Sequence, residues 1–241
     1  MIAFNGDESF KQALISEVRK HRKADKIIHG RYGKIQDSDF KGCAIGCSIK
    51  SLSLIQGNPI NTDDHQSLAD ATGIPLELYM AQDGIFEDLP KPYDVMWPER
   101  FYAAAKTGAD LSKVWPIFSA WFLADKKHGV INYAQSDKTK EVISRVEYLY
   151  QNDGTQEEFE KAADAAHKLV SAYFHSSSDN TYFCDSDAAY CAYYAANASY
   201  DSTAAKDSVE SASLAASKKE GSEKKMVIIS KKLLSIMKSI K

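Results

Sequence analysis

TDDHQSLADATGIPLELYMAQDGIFEDLP, residues 62–90, carries the punctuation that decides the fold class. Thr62 offers a hydroxyl where a helix needs an N-cap, and Gly73 stands where such a helix would exit through a left-handed residue. Pro75 then suits the first turn of a second helix, which carries Leu76, Leu78, Tyr79, Ile85 and Phe86. The apolar residues recur at helical intervals, so the stretch predicts two consecutive helices.

The same punctuation continues toward the C-terminus. Pro98 can open a helix through Phe101 to Lys106 that Gly108 closes, and Asp110 can cap the apolar LSKVWPIFSAWFL. Pro116 falls in the first turns of that helix or kinks it, and Trp115, Phe118, Trp121 and Phe122 are expected at the aromatic heart of the core. Ser136 or Asp137 starts a helix to about Asn152, with Gly154 as its stop. Thr155 and Glu158 have capping-box spacing and open an alanine-rich region to about Ser217, predicted as closely packed helices interrupted near Ser176–Asn180. Met226, Ile229, Leu233, Ile236, Met237 and Ile240 lie on one stripe of a last amphipathic helix, expected to dock on the protein's own body.

Toward the N-terminus, Asn5 and Glu8 also have capping-box spacing, and Phe10, Leu14, Ile15 and Val18 repeat at helical intervals. This helix should reach His21 or beyond, with Gly30 as the stop of any continuation through Ile27 and Ile28. Arg31–Lys41 reads as a loop. Gly42-Cys43-Ala44-Ile45-Gly46-Cys47, if helical, places both cysteines on one face and both glycines one turn apart, so that a neighbouring backbone can come close. The expected fold is all-α: a compact multi-helix body over residues 1–150, followed by an alanine-rich helical layer over 151–241 docked on it.

Composition narrows the class. With 44% hydrophobic and 26% charged residues in 241, the chain can bury a globular core. The opening MIAFNGDESF has neither the basic start nor the apolar run of a signal peptide, and no eighteen apolar residues follow one another. A soluble, cytoplasmic protein is expected. Four cysteines spread over this length do not make a disulfide framework. Residues 1–41 carry nine Lys/Arg against six Asp/Glu, a balance of +3, and residues 218–241 eight Lys against two Glu, a balance of +6. The total of -3 therefore leaves -12 for 42–217. Basic ends could meet phosphates or an acidic partner, although solvated helix faces give the same count.

Chemistry has one candidate stretch, HRKADKIIHGRYGKIQDSDFKGCAIGCSIK, residues 21–50. His21 and Asp25, one helical turn apart, could form a base and its orienting carboxylate, with Cys43 or Cys47 as an activated nucleophile. Cys43 and Cys47 with His29 or His65 are zinc-type donors, but their three-residue interval has no matching second pair. Buried, inert thiols are the plain alternative. No phosphate loop, HExxH, GxSxG or dinucleotide fingerprint occurs, and no cofactor is called for apart from zinc in the metal reading. Asp63 and Asp64 are explained by a helix start, and Glu87 and Asp88 read as local. Tyr182, Tyr190, Tyr193, Tyr194 and Tyr200 could face a partner, yet Asp179 to Asp201 contains no basic residue, so nucleic-acid binding is not expected there.

The order HRKAD, Gly30, GCAIGC, Gly73-Ile74-Pro75, Asp83-Gly84-Ile85-Phe86-Glu87-Asp88-Leu89-Pro90, Gly108-Ala109-Asp110-Leu111-Ser112 and an alanine-rich tail resembles a group of uncharacterised bacteriophage and bacterial proteins. The resemblance implies a phage or mobile-element origin, hence a host-cell cytoplasmic setting, and carries over no catalytic residue. Two functions stay open from the sequence. One is an accessory protein that binds a host macromolecule, a protein partner, without catalysis. The other is a thiol- or metal-dependent enzyme around His21, Asp25, Cys43 and Cys47.

Overall fold

The computed structural model describes residues 2–34, 38–176, 182–217 and 219–240. Among them there are eleven α-helices and no β-strand, an all-α fold. The chain divides into two compact units, Met1–Val114 with Ser230–Lys241, and Trp115–Ile229. One boundary of this division follows Val114, and the other follows Ile229.

The first unit holds α1 (Glu8–Lys23), α2 (Ala44–Gln56), α3 (His65–Thr72), α4 (Leu76–Asp88) and α5 (Tyr93–Ala104). α2 is central: it packs on α1, α3, α4 and α5, and nine of its residues are buried. Arg19 and Arg22 of α1 both bond Glu99 of α5, tying these two helices across the surface. Tyr79, Trp97, Phe101 and Tyr102 fill the space between α4 and α5.

Several helix ends differ from their sequence reading, each for a local reason. α1 is capped by Asp7, whose carboxylate accepts the Phe10 amide at 3.0 Å. Asn5 instead lies in a 3-10 turn with φ +51, and Glu8 bonds Gln12 and Thr107. α1 also stops at Lys23, before Asp25 at φ +53, so the segment to Gly30 is not a continuation. α3 is capped by Asp64, which accepts the Ser67 amide at 2.9 Å, while Thr62 donates its hydroxyl to the Gly33 carbonyl at 2.7 Å. Pro98 lies inside α5, which Tyr93 already opens.

The second unit holds α6 (Val114–Ala124) from Trp115 on, α7 (Asp137–Gln151), α8 (Gln156–Ser176), α9 (Tyr182–Asn197), α10 (Ala204–Ala216) and the first part of α11 (Ser222–Ser239). Pro116 is in the first turn of α6, and Trp115, Phe118 and Phe122 are buried, with Trp121 partly covered. Ser136 caps α7, and Thr155 with Glu158 forms the reciprocal capping box of α8. α9 packs on both α8 and α10. Its contact faces are largely methyl groups, since Ala188, Ala189, Ala192, Ala195 and Ala196 are fully buried. The interruption expected near Ser176–Asn180 falls largely on residues 177–181, and these, like the Tyr182 side chain, lie outside the described residues. Met226, Ile229, Leu233, Ile236 and Met237 of α11 are buried, so its apolar stripe docks within the chain. No helix of the described residues is long and apolar enough to cross a membrane.

Candidate functional site

The first turn of α2 is where the first unit concentrates polar groups. Ile27 and Gly42 form an isolated parallel bridge, with Ile28 N–H donating to the Gly42 carbonyl at 2.9 Å and Gly42 N–H to the Lys26 carbonyl at 3.0 Å. Cys43 N–H then donates to the Arg31 carbonyl at 2.7 Å. This lays the backbone of Tyr32 directly on the glycines: a Cβ on Gly46 would stand 1.9 Å from the Tyr32 carbonyl oxygen, and one on Gly42 2.5 Å from it. The close neighbour that the two glycines predicted is therefore the Tyr32 main chain.

Cys43 is the N-cap of α2, with its sulfur accepting the Gly46 amide at 3.4 Å. On the other side its thiol faces the Asp83 carboxylate, Sγ to Oδ1 4.0 Å. α4 brings Asp83 and Glu87 to one face because they are one turn apart. The Cys43 sulfur and one oxygen from each carboxylate all lie within 4.8 Å of one another. Cys43 and Asp83 are each only 1% exposed, and His65, at the start of α3, is 9% exposed.

Asp83, Glu87 and His65 are each held by an outer hydrogen bond. Tyr32 Oη donates to Asp83 Oδ2 at 2.8 Å, and Gly30 N–H donates to Glu87 Oε2 at 2.9 Å. The Tyr32 ring also meets His65 edge to face. His65 Nδ1 bonds the Asp63 carbonyl at 2.8 Å. A carbonyl only accepts, so Nδ1 carries the hydrogen, and in neutral imidazole Nε2 presents its lone pair. That atom is buried without a hydrogen bond and stands 3.5 Å from Asp83 Oδ2. With a proton on Nε2 this contact is an ion pair with Asp83, and without one two acceptors face each other there.

The electrostatics have the same sense. Burial, and next the Asp83 charge, push the Cys43 thiol up to about 12. Burial, followed by Asp83, also raises Tyr32, which remains a phenol donor. A bare thiolate nucleophile is disfavoured here despite the helix N-terminus beneath it. A bound cation reverses that balance, because metal coordination deprotonates a thiol outright.

The structure scatters most of the residues grouped by the sequence. His21 is buried with its ring edge on Phe40, while Asp25 is exposed beyond the end of α1, and no bond joins the two. The proposed base and orienting carboxylate are therefore not a pair: the left-handed turn at Asp25 ends the helix that would have stacked them. Cys47 directs its thiol at the Gly42 and Lys26 carbonyls, 3.3 and 3.7 Å away, and burial raises it to about 12. His29 bonds Asp94 at 3.1 Å and rests on the Phe86 ring. Only Cys43 and His65 of the earlier candidates meet around Asp83. Asp83, Glu87 and Tyr32 were not singled out as site residues. The available signal was an i, i+4 carboxylate pair whose first member sits on an otherwise apolar helix face.

No protein-family model, curated protein or solved structure matches the chain.

Proposed function

We propose that the first unit is a metal-dependent enzyme centre, with Cys43, Asp83 and Glu87 as ligands to a zinc-class divalent cation and His65 as the adjoining base. The observation that carries this is the buried convergence of the Cys43 sulfur with one oxygen each of Asp83 and Glu87, all within 4.8 Å of one another, with His65 Nε2 3.5 Å from Asp83. One thiolate and two carboxylates suit zinc, whose ligand atoms, at bond lengths of about 2.0–2.3 Å, lie roughly 3–4 Å apart. Three protein ligands leave a fourth position for water, which zinc acidifies to a pKa of about 7. His65, fixed as the acceptor tautomer, can take that proton, and hydrolysis is the reaction class this supports.

Two outer residues of the cluster, Tyr32 and Asp63, also line a cleft of about 420 Å³. The test is metal analysis of the full-length protein after zinc loading and desalting. One zinc per chain is expected, lost in Cys43→Ser and Asp83→Asn, with His65→Gln retaining zinc but losing turnover in a hydrolase screen. Wild-type protein that holds no stoichiometric zinc, cobalt or manganese sinks the reading. Capture of a host macromolecule by a phage-type accessory protein is the other proposal from the sequence, and co-purification from the host tests it. The assembly around Asp83 favours chemistry.

A further inference from the structure

The cleft beside the cluster has three walls, formed by residues 31–34, 39–41 and 61–63. They interlock through backbone. A Cβ on Gly33, which has φ +81, would stand 2.5 Å from the Lys41 carbonyl oxygen, so the first two walls touch main chain to main chain. The Thr62 hydroxyl bonds the Gly33 carbonyl at 2.7 Å and fastens the third. Arg31, Lys34 and Lys41 are carried on this frame, and among the described residues none of their side chains has an ion-pair or hydrogen-bond partner. Of the two acids among the described lining residues, Asp39 is mostly exposed and pairs with Lys26 at 3.7 Å, so the described lining carries three cations against Asp39 and Asp63.

We infer that this cleft binds the phosphate group of a small phosphorylated molecule through Arg31, Lys34 and Lys41. Three cationic residues lining one concave site match a tetrahedral, multiply charged oxyanion better than a single carboxylate, with an arginine fork able to bond two of its oxygens. The volume lies in the range of small-molecule sites, roughly 300–1,000 Å³, and is too small for a macromolecular groove. Tyr32 connects the two places, lining the cleft while its hydroxyl holds Asp83. That the phosphorylated molecule is a substrate rests on the metal-centre reading; that the cleft holds phosphate does not.

The experiment titrates full-length protein with inorganic phosphate at low ionic strength by calorimetry, in zinc-loaded, desalted and in chelator-treated samples. Saturable one-site binding is expected in both, weakened about tenfold or more in Arg31→Gln/Lys41→Gln, as loss of charge-assisted bonds implies. Because both residues are on the cleft rim, circular dichroism and zinc content should not change. Asp63→Asn, which removes an opposing charge but keeps the carbonyl that holds His65, should tighten phosphate. No saturable binding, equal affinity in the double variant, or acetate bound more tightly than phosphate overturns the phosphate site. Absence of zinc from the wild type with phosphate binding intact overturns the metal reading and leaves this site standing.

Discussion

His65 Nε2 stands 3.5 Å from Asp83 Oδ2, while its other ring nitrogen is already committed to the Asp63 carbonyl. Donation from one ring nitrogen to a carbonyl fixes which nitrogen of an imidazole is left as the acceptor, as the proposed role of His65 as base requires. The relation makes the tautomer of His65 a property of the turn before α3 and links that turn to α4.

Loading the proposed metal centre with cobalt would give a direct view of the sulfur. Wild-type protein and Cys47→Ser should both show near-ultraviolet thiolate-to-cobalt absorption, and Cys43→Ser should lack it. An equal loss in both serine variants would mean that Cys47, and not Cys43 alone, supports the site.

Tyr32→Phe removes the donor that orients Asp83 but keeps the ring. Loss of an outer-shell bond of this kind costs about 10–100-fold in metal affinity. Competition with a chelating dye measures it, and an unchanged affinity would detach Tyr32 from the site.

The glycines of GCAIGC should matter more to stability than Cys47. Gly46→Ala drives a methyl to within 1.9 Å of a backbone oxygen, which cannot swing aside as a side chain can. Overpacking typically costs about 1–3 kcal/mol, and this contact belongs at or above the upper end. Cys47→Ala removes one buried atom and should cost less. Urea denaturation of the two variants orders them.

His21 supplies an acid sensitivity. Burial first, then nearby Lys26, hold its imidazole below the ordinary value of 6.5. Below 6.5 the unfolded chain therefore binds a proton that the folded chain resists, so stability falls as pH drops until the lower folded value is passed. The denaturation midpoint followed from pH 7 to 5 should decline less steeply in His21→Gln than in wild type.

Lys225 in the second unit gives the corresponding effect at high pH. It is fully buried, donating to the His128 carbonyl and, at 3.3 Å, to Tyr133 Oη. Burial lowers it from 10.5, so just below 10.5 the unfolded chain holds the proton and the folded chain gives it up. Stability from this group therefore rises with pH toward 10.5. In Lys225→Met that component should vanish, as thermal melts from pH 8 to 10 can show.

Truncation after Ser217 removes five buried apolar side chains of α11, each contributing about 1.5–3 kcal/mol. Their sum reaches the whole stability of an ordinary domain, about 5–15 kcal/mol, so cooperative unfolding should be weakened or lost. A melting temperature that does not move would contradict the docking seen for this helix.

The sequence by itself determined the helical class and most helix positions, because those are set within a few residues of chain. Thr155 and Glu158 cap α8 through their own spacing, Gly73 ends α3 at a φ of +63 that few other residues adopt, and the α11 stripe is visible as a 3.6-residue period. The need for a close neighbour was legible at Gly46, since a glycine inside a short helix is costly unless something fills its space, whereas Gly42 lies before the Cys43 cap, in the bridge to Ile27. Tertiary structure decided which neighbour that is and which residues share a site. Asp7 and Asp64 won their caps over Asn5 and Thr62 because Asn5 was taken into a left-handed 3-10 turn and Thr62 was drawn to Gly33. The cluster joins Tyr32, Cys43, His65, Asp83 and Glu87 from a loop and three helices, across up to 55 positions between Tyr32 and Glu87. No local periodicity encodes such a meeting. It follows from the packing of α3 and α4 on α2, and from the backbone of Tyr32 seated where only glycine lets it lie.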